Sequence, residues 1–275
     1  MRPASLIPIF DNIEFMPDPF RSGPELVAPD LPPTMQNDYF FSLRYLLSYK
    51  GSTATFNSYR REIERLLLWS WHVHECSILD LKREDIDQYI SFCMKPPLNW
   101  IGTKNVARFK LKLGERLQNP DWRPFVVGVK KDAARKGLKP SVNDFVFSQT
   151  GVQATFSILS SFFNFLIQEE KTTMNPVALI RQKSKYVQKQ QQKSPVRRVS
   201  NLQWEYVIST IKTKTTENPD KYERALFILS CLYSMYLRVS ELVADERSTP
   251  VMSDFRKDND GNWWLHVTGK GNKNR

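Results

Sequence analysis

The chain has 275 residues, 41% of them hydrophobic, which is enough to bury a real core and argues against disorder throughout. Its 40 Lys and Arg against 29 Asp and Glu leave a net charge of +11, and three widely spaced cysteines argue against a disulfide framework and fit a reducing compartment. No run approaches the roughly 18 apolar residues of a membrane span and no charged-then-apolar leader opens the chain, so a cytoplasmic, nucleoid-associated protein is expected.

Residues 1–37 read as an extended arm, because eight of the 17 prolines fall within 1–36 and proline blocks both helix and sheet. Phe10, Phe15 and Phe20 are spaced along it and could pack on something. From residue 38 to about 185 the pattern is helical. Phe56, Tyr59, Ile63, Leu66 and Leu67 recur with the helical period behind Ser52 and Thr53 as caps. A shorter helix in LKREDIDQYISFCM places Ile86, Tyr89, Ile90 and Cys93 on one face and ends at Pro96-Pro97. The basic segment 98–140 is expected to hold one helix, 104–117, and a loop. A strong helix follows in TFSILSSFFNFLIQEE, with Phe156, Leu159, Phe163 and Leu166 in register. Asn175-Pro176 reads as a helix cap followed by a first-turn proline. Residues 186–198 are expected to be a basic interdomain linker.

A second domain is expected over 199–275. Ser200 and Gln203 form a capping-box pattern ahead of Trp204, Val207, Ile208 and Ile211, and Asn218-Pro219 opens another helix. After Pro250 two antiparallel strands are expected around the turn Asp258-Asn259-Asp260-Gly261.

Charge is distributed unevenly. Residues 1–36 carry two basic and five acidic side chains, residues 37–198 carry 27 and 14, and residues 199–275 carry 11 and 10. A basic middle fits a polyanionic partner, because cations that neutralise phosphates release condensed counterions; a solvated basic surface is the alternative. Candidate DNA contacts are Arg60, Arg61, Lys104, Arg108, Lys183, Lys185, Arg197 and Arg198, with Lys110, Lys112 and Lys189 beside them.

The stretch LYSMYLRVSEL (232–242) puts Arg238 at the end of an apolar run. An arginine keeps its charge, so near a core it needs an anion: Glu241 three residues on, or a phosphate. About thirty residues later GKGNKNR (269–275) holds Lys270 between glycines after a strand-like run, where the backbone turns tightly and the ammonium is displayed to donate a proton or neutralise an oxyanion. His72, His74 and Cys76 in WHVHEC have alternate spacing that could suit a metal, but they follow a helical run without a second cluster, so ordinary polar groups at a helix end are expected. Residues 258–261 lack the distal glutamate of a calcium loop and read as a plain turn. Neither a metal nor a cofactor is expected.

LRVSEL followed by a strand and GKGNKNR resembles the tyrosine recombinase (phage integrase) family over roughly residues 38–275. The resemblance implies a mainly α chain: a helical core-binding (SAM-like) bundle that clamps DNA, carried by the pattern FFNFLIQEE…NPVALI, then the N-terminal part of a mixed α/β catalytic domain. It implies that Arg238 holds the scissile phosphate, that Glu241 supports it, and that Lys270 acts as general acid toward the leaving 5′ oxygen. It implies site-specific DNA cleavage and rejoining without metal or ATP, on a double-stranded recombination site, with self-association on the DNA, as in integration or excision of a mobile element.

Two departures stand out. The family usually carries glycine before Leu-Arg, and here the residue is Tyr236, which strains the turn unless its φ is negative. The family pattern also continues with a third strand, a His-x-x-Arg helix and a nucleophilic tyrosine, whereas no tyrosine follows Tyr236. The expectation is a C-terminally truncated recombinase, inactive alone, or a non-catalytic DNA-binding module or regulator derived from one. Residues 199–275 are expected to be poorly protected in isolation while 38–185 fold.

Overall fold

Why the first half folds follows from where its apolar residues recur. In the computed structural model, which describes residues 6–19, 32–128, 135–183, 198–244, 249–269 and 273–274, the chain is mostly helical. It divides into two compact units, Met1–Gln190 and Gln191–Arg275. The division falls inside the stretch read as a linker, whose residues up to 197 lie outside the described ones.

In the first unit, α1 (Pro33–Leu47), α2 (Thr53–Trp69), α3 (Arg83–Met94), α4 (Gln149–Gln168) and α5 (Pro176–Lys183) surround one core. Helix α2 buries Phe56, Ile63, Leu66 and Leu67, and α3 buries Ile86, Tyr89, Ile90 and Cys93, in each case at three- and four-residue spacing. The Asn175 side chain accepts from the N–H of Val177 and of Ala178, each at 3.1 Å, so it caps α5 ahead of a proline that has no donor to lose. Helix α4 is long and apolar enough to cross a membrane by length and composition. Its buried residues Val152, Phe156, Leu159, Phe163 and Leu166 form a single stripe against the other helices, the arrangement of a core helix.

The expected helix over 104–117 is instead a β-hairpin. A short parallel pair, β1 (Ile101–Gly102) with β4 (Phe125–Val126), frames an antiparallel ladder of β2 (Phe109–Lys112) and β3 (Glu115–Gln118). FKLK alternates apolar and basic with the period of a strand, and Leu113-Gly114 forms a two-residue turn with φ of 52° and 85°. Glycine adopts that region freely; leucine there costs about 1–2 kcal/mol. The base is closed by the Asn119 N–H donating to the Arg108 carbonyl at 2.8 Å.

The proline-rich arm is shorter than read, since Pro33, tolerated at the first helical position, already opens α1, and the described part of the segment before it packs. Leu6 and Phe10 belong to the core, Phe10 fully buried and stacked on Tyr39 with ring centroids 5.2 Å apart. Phe15 is exposed beneath the Arg116 guanidinium, and Phe20 lies outside the described residues.

The second unit comprises α6 (Asn201–Glu217), α7 (Pro219–Ser234), the single turn α8 (Val239–Leu242), and two antiparallel strand pairs. These are β5 (Phe255–Lys257) with β6 (Trp263–Leu265), and β7 (Thr268–Gly269) with β8 (Lys273–Asn274). The capping box forms as read: Ser200 N–H donates to Gln203 Oε1 at 2.9 Å and Gln203 N–H to Ser200 Oγ at 3.2 Å. Helices α6 and α7 meet through Trp204 stacked on Tyr233, centroids 3.8 Å apart. Trp204, Ile208 and Ile211 are only half-buried and Val207 is exposed. The turn before β6 is organised by the Asp258 carboxylate, which accepts from the N–H of Asp260 and Asn262 and from Trp264 Nε1.

Candidate nucleic-acid interface

Arg238 sits immediately before α8, in extended backbone with φ −76° and ψ 152°. Its N–H donates to Glu241 Oε2 and its Nη1 to Glu241 Oε1, both at 2.8 Å. The Glu241 side chain is 3% exposed and that of Arg238 is 60% exposed. A buried carboxylate thus holds the base of the turn and one edge of the guanidinium, and most of the arginine surface faces outward. Glu241 and a phosphate are therefore not competing partners for Arg238. The carboxylate can orient the fork while its remaining surface meets an anion.

Two residues earlier, Tyr236 has φ of 52° and is exposed. The position preceding Leu-Arg is a left-handed one, where glycine is free of the penalty that tyrosine meets. Lys270 lies outside the described residues, as do Lys185, Lys189, Arg197 and the Lys183 side chain. The strand pair on either side of Lys270, Thr268 with Asn274 and Gly269 with Lys273, is described and antiparallel.

Two of the basic residues read as DNA contacts are corrected by their surroundings. Arg60 is buried: Nη1 donates to the Asp11 carbonyl and to Asn12 Oδ1, Nη2 donates to Asn57 Oδ1 at 2.7 Å, and the guanidinium lies over Phe56. Burial, then the charge of Arg108, push its pKa down to about 10, which leaves it cationic at neutral pH. Arg108 pairs with the buried Glu64 carboxylate and stacks over Trp122. Arg60 sits on the apolar side of α2, and the hydrophobic period through that helix would have flagged it, since it falls one turn after Phe56. Arg61, Lys104 and Arg198 remain open to solvent, Arg61 with its Nε on Glu62 Oε1 at 2.9 Å.

What Arg60 and Glu64 hold is the arm. Glu64 Oε1 accepts from the N–H of Ile9 at 2.7 Å and of Phe10 at 3.1 Å. Asp11 takes two bonds from Arg116, at 2.6 Å and 2.7 Å, and Gln118 Nε2 donates to the Pro8 carbonyl at 3.0 Å. These contacts join the arm, α2 and the hairpin. The separation of about fifty residues between Glu64 and its partners left no local signal in the sequence.

At WHVHEC, the helix ends in a π turn, Ser70–His74, with His74 stacked on Trp69 and bonded to Asp85 at 3.1 Å. Among the described residues no group of three or more His, Cys, Asp or Glu side chains converges as a metal site would require. Comparison with protein-family models, with curated proteins and with solved structures returned no match.

Proposed function

We propose that this chain is a DNA-binding protein of the tyrosine recombinase type, with a SAM-like core-binding bundle in its first unit and the arginine-bearing part of a recombinase catalytic domain in its second. The observation that carries the reading is Arg238, held by the buried Glu241 and presenting its guanidinium to solvent within LRVSEL. A phosphate could take the outward side of that fork as a bidentate anion. Lys270, in GKGNKNR, would serve as the acid toward a leaving oxygen, and the net positive charge of 37–198 would supply the salt-dependent part of the affinity. The partner is a double-stranded recombination site on which copies of the chain associate, in a nucleoid-associated setting.

A second reading rests on one sequence fact: no tyrosine follows Tyr236. The nucleophile for strand cleavage would have to come from outside these residues, so the activity proposed for them by themselves is binding, as a module or regulator. The test is fluorescence anisotropy of the full chain with labelled duplexes across a salt series. A linear fall of log affinity with log salt is expected, with Arg238→Ala weakening binding about tenfold or more, the worth of a charge-assisted bond. Salt-independent or absent binding, or an unaltered Arg238→Ala variant, would remove the reading. Incubation with a nicked recombination-type substrate is expected to leave no covalent adduct, because these residues supply no nucleophilic tyrosine after Tyr236; an adduct would overturn the binding-only reading.

A further inference from the structure

The β2–β3 hairpin ends in an apolar tip that no described residue of the first unit covers. Leu113 is 97% exposed and Leu111 71% exposed, and Leu117 on the returning strand is exposed as well. Leu113 also holds the left-handed backbone of the turn, with φ of 52°, a place where asparagine or glycine would sit without strain. The tip therefore carries two costs, exposure and backbone strain, that no contact among the described residues repays. Its strands carry Lys110, Lys112 and Arg116 against one acid, the exposed Glu115 opposite Lys112. Lys110 and Lys112 alternate with the leucines along β2, Lys112 exposed and Lys110 in an exposed pair with Asp121 at 2.9 Å. Lys104 is exposed on the segment leading in. Segment 98–140 as a whole holds 11 basic against three acidic side chains.

The base, in contrast, is rigidly seated. Arg116 is clamped to Asp11, Gln118 to Pro8, and the Asn119 side chain donates to the Ala107 carbonyl at 2.6 Å. A two-stranded ribbon with a firm root, cationic flanks and a projecting leucine has the form of a wedge. Apolar side chains of this size enter the minor groove and part stacked base pairs when neighbouring cations hold the phosphates. The surrounding charge selects a polyanion over an apolar protein groove as the partner.

We infer that the hairpin Phe109–Gln118 is a minor-groove element that inserts Leu113 between base pairs of duplex DNA while Lys112 and Lys110 contact the flanking phosphates, an inference that rests on the DNA-binding reading above. The step is non-covalent and needs no sequence-specific contact, so it can be read on any duplex.

The test uses the full chain with a relaxed plasmid and a type I topoisomerase, followed by deproteinisation, since a wedge that unstacks base pairs untwists the duplex and leaves a shifted set of topoisomers. Anisotropy on a labelled duplex gives the affinity in parallel. The decisive variant is Leu113→Asn, which removes the apolar wedge and suits the left-handed turn, so its thermal stability is expected to equal or exceed that of the parent. The expected result is a topoisomer shift with the parent protein, its loss with Leu113→Asn, and affinity weakened about tenfold, the worth of one buried leucine. Lys112→Gln is expected to lower the slope of log affinity against log salt by about one. A Leu113→Asn protein that is folded, binds with parental affinity and shifts topoisomers equally would overturn the wedge and leave the DNA-binding reading intact. A chain that binds no duplex at low salt would overturn both.

Discussion

In the first unit Glu62 and Glu64 are buried and accept several aimed donors: Glu62 takes Arg61, Arg65 and the distant Thr155, and Glu64 takes Arg108 and two arm N–H groups. In the second unit the described side chains that are buried are Cys231 and Glu241, while Trp263, Trp264, Leu202 and Tyr206 are exposed. A buried carboxylate is tolerated only where desolvation is offset by several aimed donors, which demands a surrounding core. The first unit has that core, and it can use charge to tie distant segments together. Among its described residues the second unit has one such carboxylate, Glu241, which places Arg238. The residue proposed to meet a phosphate therefore stands in the less packed half of the molecule, where local opening costs least.

The sharpest way to break this contrast is Glu64→Ala. It strips Arg108 of its anion and leaves the Ile9 and Phe10 N–H groups unsatisfied, so the first unit should lose about 3–5 kcal/mol. Urea titration with amide exchange as the readout should show faster exchange throughout 6–16 and α2, and no change over 201–234. Equal acceleration in both units would mean that they unfold as one.

Tyr236→Gly tests the opposite end of the contrast. Removing an exposed side chain from a left-handed position should stabilise the second unit by about 1–2 kcal/mol, because strain is relieved and little packing is lost. Loss of stability instead would mean that Tyr236 makes a contact outside the residues described.

The smallest expected effect concerns the arm and pH. Burial raises the Asp11 pKa, but the bonds from Arg116 and the Asn12 N–H, with the charges of Arg116 and Arg60, outweigh it and hold the carboxyl below its ordinary value of 3.8. The folded state thus prefers the ionised form, so this contribution is fully present above pH 3.8 and lost as pH falls through the lower folded value. The stability difference between the parent and Asp11→Asn should be constant at neutral pH and close below that point. Asp38, whose pKa burial raises despite bonds from Ser77, Trp71 and the Ile78 N–H, acts in the opposite direction, gaining stability on acidification. Comparing the two proteins cancels that background.

Local signals determined a good part of this protein. The stripes of α2, α3 and α4, the Asn-Pro and Ser-x-x-Gln caps and the β5–β6 hairpin were all legible, because each depends on residues within one or two turns of one another. So was the pairing of Arg238 with Glu241, three residues apart. The fate of Arg60 and Arg108 was not, since charge alone does not say whether a guanidinium finds solvent or a carbonyl forty-nine residues away. Nor was the docking of the arm, where the prolines disfavoured regular structure but long-range donors and a pocket for Phe10 decided that it packs. Segment 109–118 carried both a weak helical pattern and a strand alternation. Tertiary anchoring through Arg116, Gln118 and Asn119 selected the hairpin, and with it the exposed position of Leu113.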